Sequence, residues 1–166
     1  MAVREVLRYP HPTLKAPAEP VGSPGDEHRS LADDLVETMR AGPATVGLAA
    51  PQIGESVRAF CLDVSGHPKA ARPHGLLVLF DPELVEAEGR EIMREGCLSV
   101  PDLTANVRRA ERVVVRGLGP DGAERVYRME GFEARALLHE LDHLDGKLIL
   151  DRVDSAADLF PRKVYR

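Results

Sequence analysis

One run of five residues, His139-Glu140-Leu141-Asp142-His143, constrains this chain more than any other. It lies in a stretch, 132–145, where Leu137, Leu141, Leu144 and Leu148 recur at helical spacing and form one apolar stripe. On a helix, residues four apart stand one above the other on the same face. A pair of imidazoles placed in this way can bind one metal ion without bending the backbone. Glu140 follows the first histidine by about 100° of rotation. That puts it beside the ion's open position, where it can move protons rather than ligate. The same pattern also arises by accident, as an exposed helix with unrelated histidines.

A catalytic metal needs at least one more protein ligand. The candidates are the other histidines, the acids and Cys97. Cys97 stands in Glu95-Gly96-Cys97-Leu98-Ser99-Val100-Pro101. Gly96 permits unusual backbone angles and Pro101 disfavours helix at Val100, so this is an extended, pinned segment that can aim a sulfur. The alternative for Cys97 is a small buried hydrophobe, the usual state of free cysteine. Cys61 alternates with apolar neighbours and is expected to be plain core. His11, His28, His67 and His74 lie in Pro-rich or polar stretches and are expected to be solvated.

At 166 residues, with 43% hydrophobic and 30% charged, the chain is expected to form one domain, 1–166, with its own core. Residues 9–25 hold five prolines and are expected to wrap a surface as extended chain. Leu31, Leu35 and Met39 recur every four residues and predict a helix over 26–41, stopped by Gly42-Pro43. Strands are expected over 57–64, over Leu76–Phe80 and, half-exposed, over 84–93. Val113–Val115 and Val126–Met129 flank Gly119-Pro120-Asp121-Gly122 and predict a hairpin. One further helical turn is expected near Ala156–Leu159. Strands cluster between the helices rather than alternating with them, which predicts an α+β fold.

A net charge of -5 and a pI near 5.7 argue against a broad grip on nucleic acid or anionic lipid. No apolar run approaches the roughly 18 residues that span a bilayer. The N-terminal residues carry an acid early and have no apolar signal region, so a secretory or transit peptide is not expected. Two cysteines make no disulfide framework and fit a reducing cytoplasm.

Three segments stand together: Val46-Gly47-Leu48-Ala49-Ala50-Pro51-Gln52, Glu95 to Pro101, and His139-Glu140-Leu141-Asp142-His143-Leu144. Their identity, order and spacing closely resemble the signature motifs of bacterial peptide deformylases. Arg8-Tyr9-Pro10, Asp81-Pro82-Glu83-Leu84 and Gly146-Lys147-Leu148 extend the resemblance over nearly the whole chain.

The resemblance implies antiparallel β-sheets around a central metal-bearing α-helix. It implies a metal-dependent hydrolase that removes the formyl group from formyl-methionine at the start of newly made polypeptides. Cys97, His139 and His143 match the metal ligands, with water in the fourth position. Glu140 matches the general base and acid. Gln52 and the Leu98 N–H match the groups that hold the formyl oxygen. Val46 and Gly47 match the segment that pairs with substrate, and Glu95 with Arg109 a charged pair bracing the cysteine loop. Val46, Phe132 and Ala136 are expected to wall a methionine pocket; Phe132, Ala136, His139 and His143 share one helix face by their 4, 3, 4 spacing.

The implied cofactor is one divalent ion, Fe(II) in the cell, with Zn(II), Ni(II) or Co(II) as alternatives. The implied partners are N-formylmethionyl nascent peptides, without specific nucleic-acid or membrane binding. Arg162, Lys163 and Arg166 raise a transient ribosome contact, with simple solvation as the plainer reading. Thr45, Leu138, Thr104 and Arg108 depart from the common family pattern. Those departures leave a deformylase-like metal- or peptide-binding domain without turnover as the alternative, and the His-Glu-x-x-His motif, common in metallopeptidases, leaves an endopeptidase as a more distant one.

Overall fold

The computed structural model describes residues 2–162. Helix α1 (Asp26–Ala41) forms where the four-residue repeat predicts it, and Leu31, Leu35 and Met39 are all buried. The Gly25 N–H donates to Nδ1 of His28 at 2.9 Å and so closes the helix start. His28 is therefore a capping residue rather than a solvated one. Asp26 and Glu27 occupy the first turn, where the helix end favours negative charge.

In chain order the strands are β1 (Gly47–Ala49), β2 (Ala59–Leu62), β3 (Leu77–Glu88), β4 (Glu91–Cys97), β5 (Val100–Arg109), β6 (Arg112–Leu118), β7 (Glu124–Glu130) and β8 (Leu159–Pro161). Helix α2 (Gly131–Leu144) follows β7. One antiparallel sheet runs β1-β2-β3-β6-β7, and a second runs β4-β5-β8. The architecture is the expected α+β arrangement of antiparallel sheets with two helices.

Strand β2 shows how the layers assemble. All four of its residues are buried. Phe60 and Leu62 pack with Leu137 and Leu144 of α2, while Ala59 and Cys61 pack with Leu31, Leu35 and Met39 of α1. The larger sheet thus lies between the two helices, which is why β2 reads as a continuous apolar run. Cys61 is core as expected, its sulfur 3.7 Å from that of Met39. The smaller sheet builds a separate cluster, in which Val100, Ala105 and Val107 meet Leu14, Leu148 and Ile149.

The expected strand over 84–93 is two strands in different sheets. Glu88 pairs with Arg112, but Glu91 pairs with Arg109, and Gly89 at φ 75° turns the chain between them. The run Leu76–Phe80 continues through Asp81-Pro82 into the same β3 by a bulge. Asp81 takes φ 49° there, and its carboxylate accepts the Val21 and Gly22 N–H groups at 2.7 and 2.8 Å. These bonds anchor the Pro-rich segment, which also contains a 3₁₀ turn at Pro12–Lys15.

Strand β5 escapes the sequence reading because Arg109 is one of its buried residues, so its apolar alternation is broken. The 3₁₀ turn at Ala156–Asp158 appears as expected and leads into β8. The predicted hairpin is present, with Val113 opposite Met129 and Val115 opposite Tyr127. Among the described residues, no helix is long and apolar enough to cross a membrane.

The end of α2 is fixed by Gly146. The Gly146 N–H donates to the His143 carbonyl at 3.1 Å and the Lys147 N–H to the Asp142 carbonyl at 2.8 Å, with Gly146 at φ 75°. This is the paired bonding of a left-handed helix stop. A Cβ on Gly146 would lie 2.8 Å from the Lys15 carbonyl oxygen. Gly146→Ala should therefore lower stability by at least about 1–2 kcal/mol, the usual cost of the left-handed conformation alone. Urea unfolding midpoints at matched slope measure it.

Candidate metal centre

Helix α2 presents His139 and His143 one turn apart, with Nε2 to Nε2 at 3.3 Å. The third donor comes from the other sheet. Cys97 is the last residue of β4, and it pairs with Val100 across the two-residue turn Leu98-Ser99. The expected extended segment is thus a tight hairpin end, which fixes where the sulfur points. Cys97 Sγ lies 3.4 Å from His143 Nε2, and the three candidate ligand atoms all lie within 4.8 Å of one another.

Metal–nitrogen bonds of about 2.0–2.1 Å and a metal–sulfur bond of about 2.3 Å give tetrahedral edges of about 3.3 Å and about 3.6 Å. The observed 3.3 and 3.4 Å separations match that geometry. Burial raises the Cys97 thiol, but His143 and His139 outweigh it and hold its pKa well below the ordinary value. A buried thiolate beside imidazoles is a donor set for a dication.

His139 is oriented from behind. Its Nδ1 is 2.9 Å from Glu95 Oε1, which leaves Nε2 to face the sulfur and His143. Glu95 is itself clamped: Arg109 donates to both its oxygens at 2.8 and 2.9 Å, and Arg135 donates at 2.6 Å. Burial pushes the Glu95 carboxyl up, but Arg109 and His139 hold it well below the usual carboxylate range. Arg109 also donates to Asp142 at 2.6 Å, and Asp142 takes two further bonds from Arg152 at 2.9 and 2.6 Å. The implied Glu95–Arg109 pair is present. The additional members, Arg135, Asp142 and Arg152, carry no sequence signal beyond being charged.

Glu140 is 2% exposed, and its Oε1 has no hydrogen-bond partner among the described residues. Burial raises its pKa above the ordinary glutamate value. Gly47 makes room for it: a Cβ there would stand 2.8 Å from Glu140 Oε2 and 3.1 Å from Leu62 Cδ1. Gln52 sits in the 3₁₀ turn Ala50–Ile53. The Ala49 N–H donates to its Oε1 at 3.0 Å, which turns Nε2 toward Ser99 Oγ at 3.1 Å and Cys97 Sγ at 3.8 Å. Ser99 is fully buried and was not singled out by sequence.

Cys97, His139, Glu140 and Gln52 open on one cavity of about 250 Å³, while His143 stands behind them and is not part of its lining. Val46, Gly47, Leu98, Phe132 and Ala136 line it, together with Gln52, Cys97, His139 and Glu140. Thr45 also lines it, while Thr104 does not and instead receives a hydrogen bond from Arg94 at 3.4 Å. His67, expected to be solvated, lines the cavity with its ring stacked on Phe132, centroids 3.9 Å apart. His74 likewise has a partner, Glu133 at 2.6 Å, whereas His11 is exposed and accepts the Thr13 N–H. Arg162 is part of the lining, and its backbone N–H donates to the Asp102 carbonyl at 2.9 Å. Lys163 and Arg166 lie outside the described residues.

Cys97→Ala should lose most bound divalent metal, while Cys61→Ala should keep it. Metal content per chain after anaerobic loading and desalting is the measurement.

The family model described as polypeptide deformylase matches residues 3–158. A peptide deformylase of Acidobacterium capsulatum is 42% identical over 100% of this chain and 96% of its own length. The crystal structure of a peptide deformylase from Legionella pneumophila superposes with a TM-score of 0.84 at 37% identity, over 92% of this chain and 87% of that one. A Met-ala-ser-bound peptide deformylase from Acinetobacter baumannii gives 0.82 at 35% identity, over 92% and 99%. Matched by the family model over residues 3–158 and 42% identical to a relative across its whole length, this chain belongs to the polypeptide deformylase family of enzymes.

Proposed function

We propose that this enzyme hydrolyses the N-formyl group of formyl-methionine at the start of newly made polypeptides and releases formate. One observation carries the reading. A proton-handling carboxylate, Glu140, and a fixed amide N–H, Gln52, face the same cavity as Cys97 and His139, which with His143 behind them make a Cys-His-His donor set. A dication held by those three donors would supply a Lewis acid that makes water acidic near neutral pH.

The remaining steps fall to the protein. Glu140, poised by burial, takes a proton from the attacking water and hands it to the leaving amine nitrogen. The formyl C–N bond breaks as the new C–O bond is kept, giving formate and a free amino terminus. The Gln52 amide and the Leu98 N–H meet the charge that builds on the formyl oxygen. Losing one such donor typically costs about 10²–10³ in rate. Val46, Phe132 and Ala136 wall the methionine side chain, and His67, itself on the cavity wall, stacks on Phe132. The Val46–Gly47 backbone pairs with the peptide. The bound Met-ala-ser of the Acinetobacter baumannii relative supports a peptide product of this kind in the cavity.

A thiolate donor makes the site softer than one built from histidine and carboxylate. We take Fe(II) as the working ion, with Zn(II), Ni(II) and Co(II) accepted by the same donors. Both cysteines are free thiols, which suits a reducing cytoplasm where new chains emerge. The intact Glu140 and Gln52 favour turnover over a binding-only role.

Formate release from formyl-Met-Ala-Ser under anaerobic iron loading tests the reaction. Glu140→Ala should retain its metal and lose about 10²–10⁴ of turnover, the usual share of a positioned proton carrier. A near-parental rate would remove Glu140 from that role. The acyl carbon must fit between the attacking water and walls set by the Leu98 turn and Gln52. Acetyl-Met-Ala-Ser should therefore show kcat/KM lower by about 10² or more, since a 1 Å misplacement has that effect.

A further inference from the structure

The charges around the cavity are sorted by depth. Its acidic lining residues, Glu95 and Glu140, are both buried, and Glu95 is bound to Arg109 and Arg135. The exposed charged residues of the lining are Lys69, Arg94 and Arg162, and all are positive, on a chain of net charge -5. Arg94 is held by neutral partners. Its Nε donates to Asn106 Oδ1 at 3.1 Å, and its guanidinium carbon lies 3.5 Å from the centre of the Phe160 ring. Arg162 lies against Gly96, where a Cβ would come within 3.4 Å of its guanidinium. Among the described residues, neither arginine has a carboxylate partner. Stacking and neutral hydrogen bonds fix a guanidinium while leaving its charge for a ligand.

We propose that Arg94 and Arg162, with Lys69, form an electrostatic selector at the cavity mouth that favours substrates carrying side-chain carboxylates just after the formyl-methionine. The proposal rests on the deformylase reading and adds a preference to it. Arg94 and Cys97 share strand β4, and Arg162 packs over Gly96 beside them, so a peptide whose first residue reaches the donors passes these guanidinium groups on its way out. Each exposed pairing of this kind contributes little, but several acting on one substrate give a measurable ratio.

The test compares formyl-Met-Glu-Glu-amide, formyl-Met-Gln-Gln-amide and formyl-Met-Lys-Lys-amide on the metal-loaded enzyme. The amides remove the terminal carboxylate as a second source of negative charge. At low ionic strength kcat/KM should fall in the order Glu, Gln, Lys, with about fivefold or more between the ends. In 0.5 M salt, where screening acts over about 4 Å, the ratio should shrink toward one. The double variant Arg94→Gln with Arg162→Gln should shrink it at low salt as well. The salt arm needs no variant, so it decides the matter even if the double variant folds poorly. Equal rates on all three peptides, or a ratio indifferent to salt, overturn the selector and leave the deformylase reading standing. No formate from any of the peptides overturns both.

Discussion

The fold is organised around one buried guanidinium. Arg109 leaves β5 and grips Glu95 on β4 with one edge and Asp142 on α2 with another. Glu95 passes the constraint to His139, and Asp142 passes it to Arg152. Removing one member of such a network strands the others without water and typically costs about 3–5 kcal/mol. Replacing the whole network with apolar side chains could leave a stable protein. It would not leave Cys97 and the histidines in register, because the hairpin and the helix come from different layers and meet through these charges.

The same arrangement holds the candidate centre rigid while leaving polar atoms open to its cavity. The candidate donors sit on a helix stopped by Gly146 and on a strand end closed by a two-residue turn, so neither element has slack there. Glu140 sits where Gly47 leaves space, buried enough to raise its pKa yet with an oxygen that no described residue hydrogen-bonds. Gln52 is turned by the Ala49 N–H so that its amide, not its carbonyl, faces inward. Buried side chains, one of them oriented by a backbone N–H, thus set the polarity of the cavity floor, while exposed side chains set that of its mouth.

What was legible in the sequence was what repeats locally. Helix α1 announced itself by Leu31, Leu35 and Met39, and α2 by its leucine stripe with the histidine pair beside it. The β6–β7 hairpin announced itself by its turn residues. Strand β5 stayed hidden because Arg109 occupies a buried position that a periodicity argument expects to be apolar. Residues 84–93 looked like one strand because nothing in the alternation reveals that Gly89 carries the chain from one sheet to the other.

The sequence by itself determined the candidate chemistry: a helical pair of histidines, a glutamate set beside them, and a cysteine and a glutamine in motifs that resemble one family. Those are properties of residue type and short spacing, which a chain carries before it folds. Only the tertiary structure decided that Cys97 stands 3.4 Å from His143 and that Gly47 is small for the sake of Glu140. It also decided that His67 stacks on Phe132 and that Arg94 meets Phe160 at a cavity mouth. Each of those pairs is far apart in the chain, so their meeting depends on how two sheets and two helices pack.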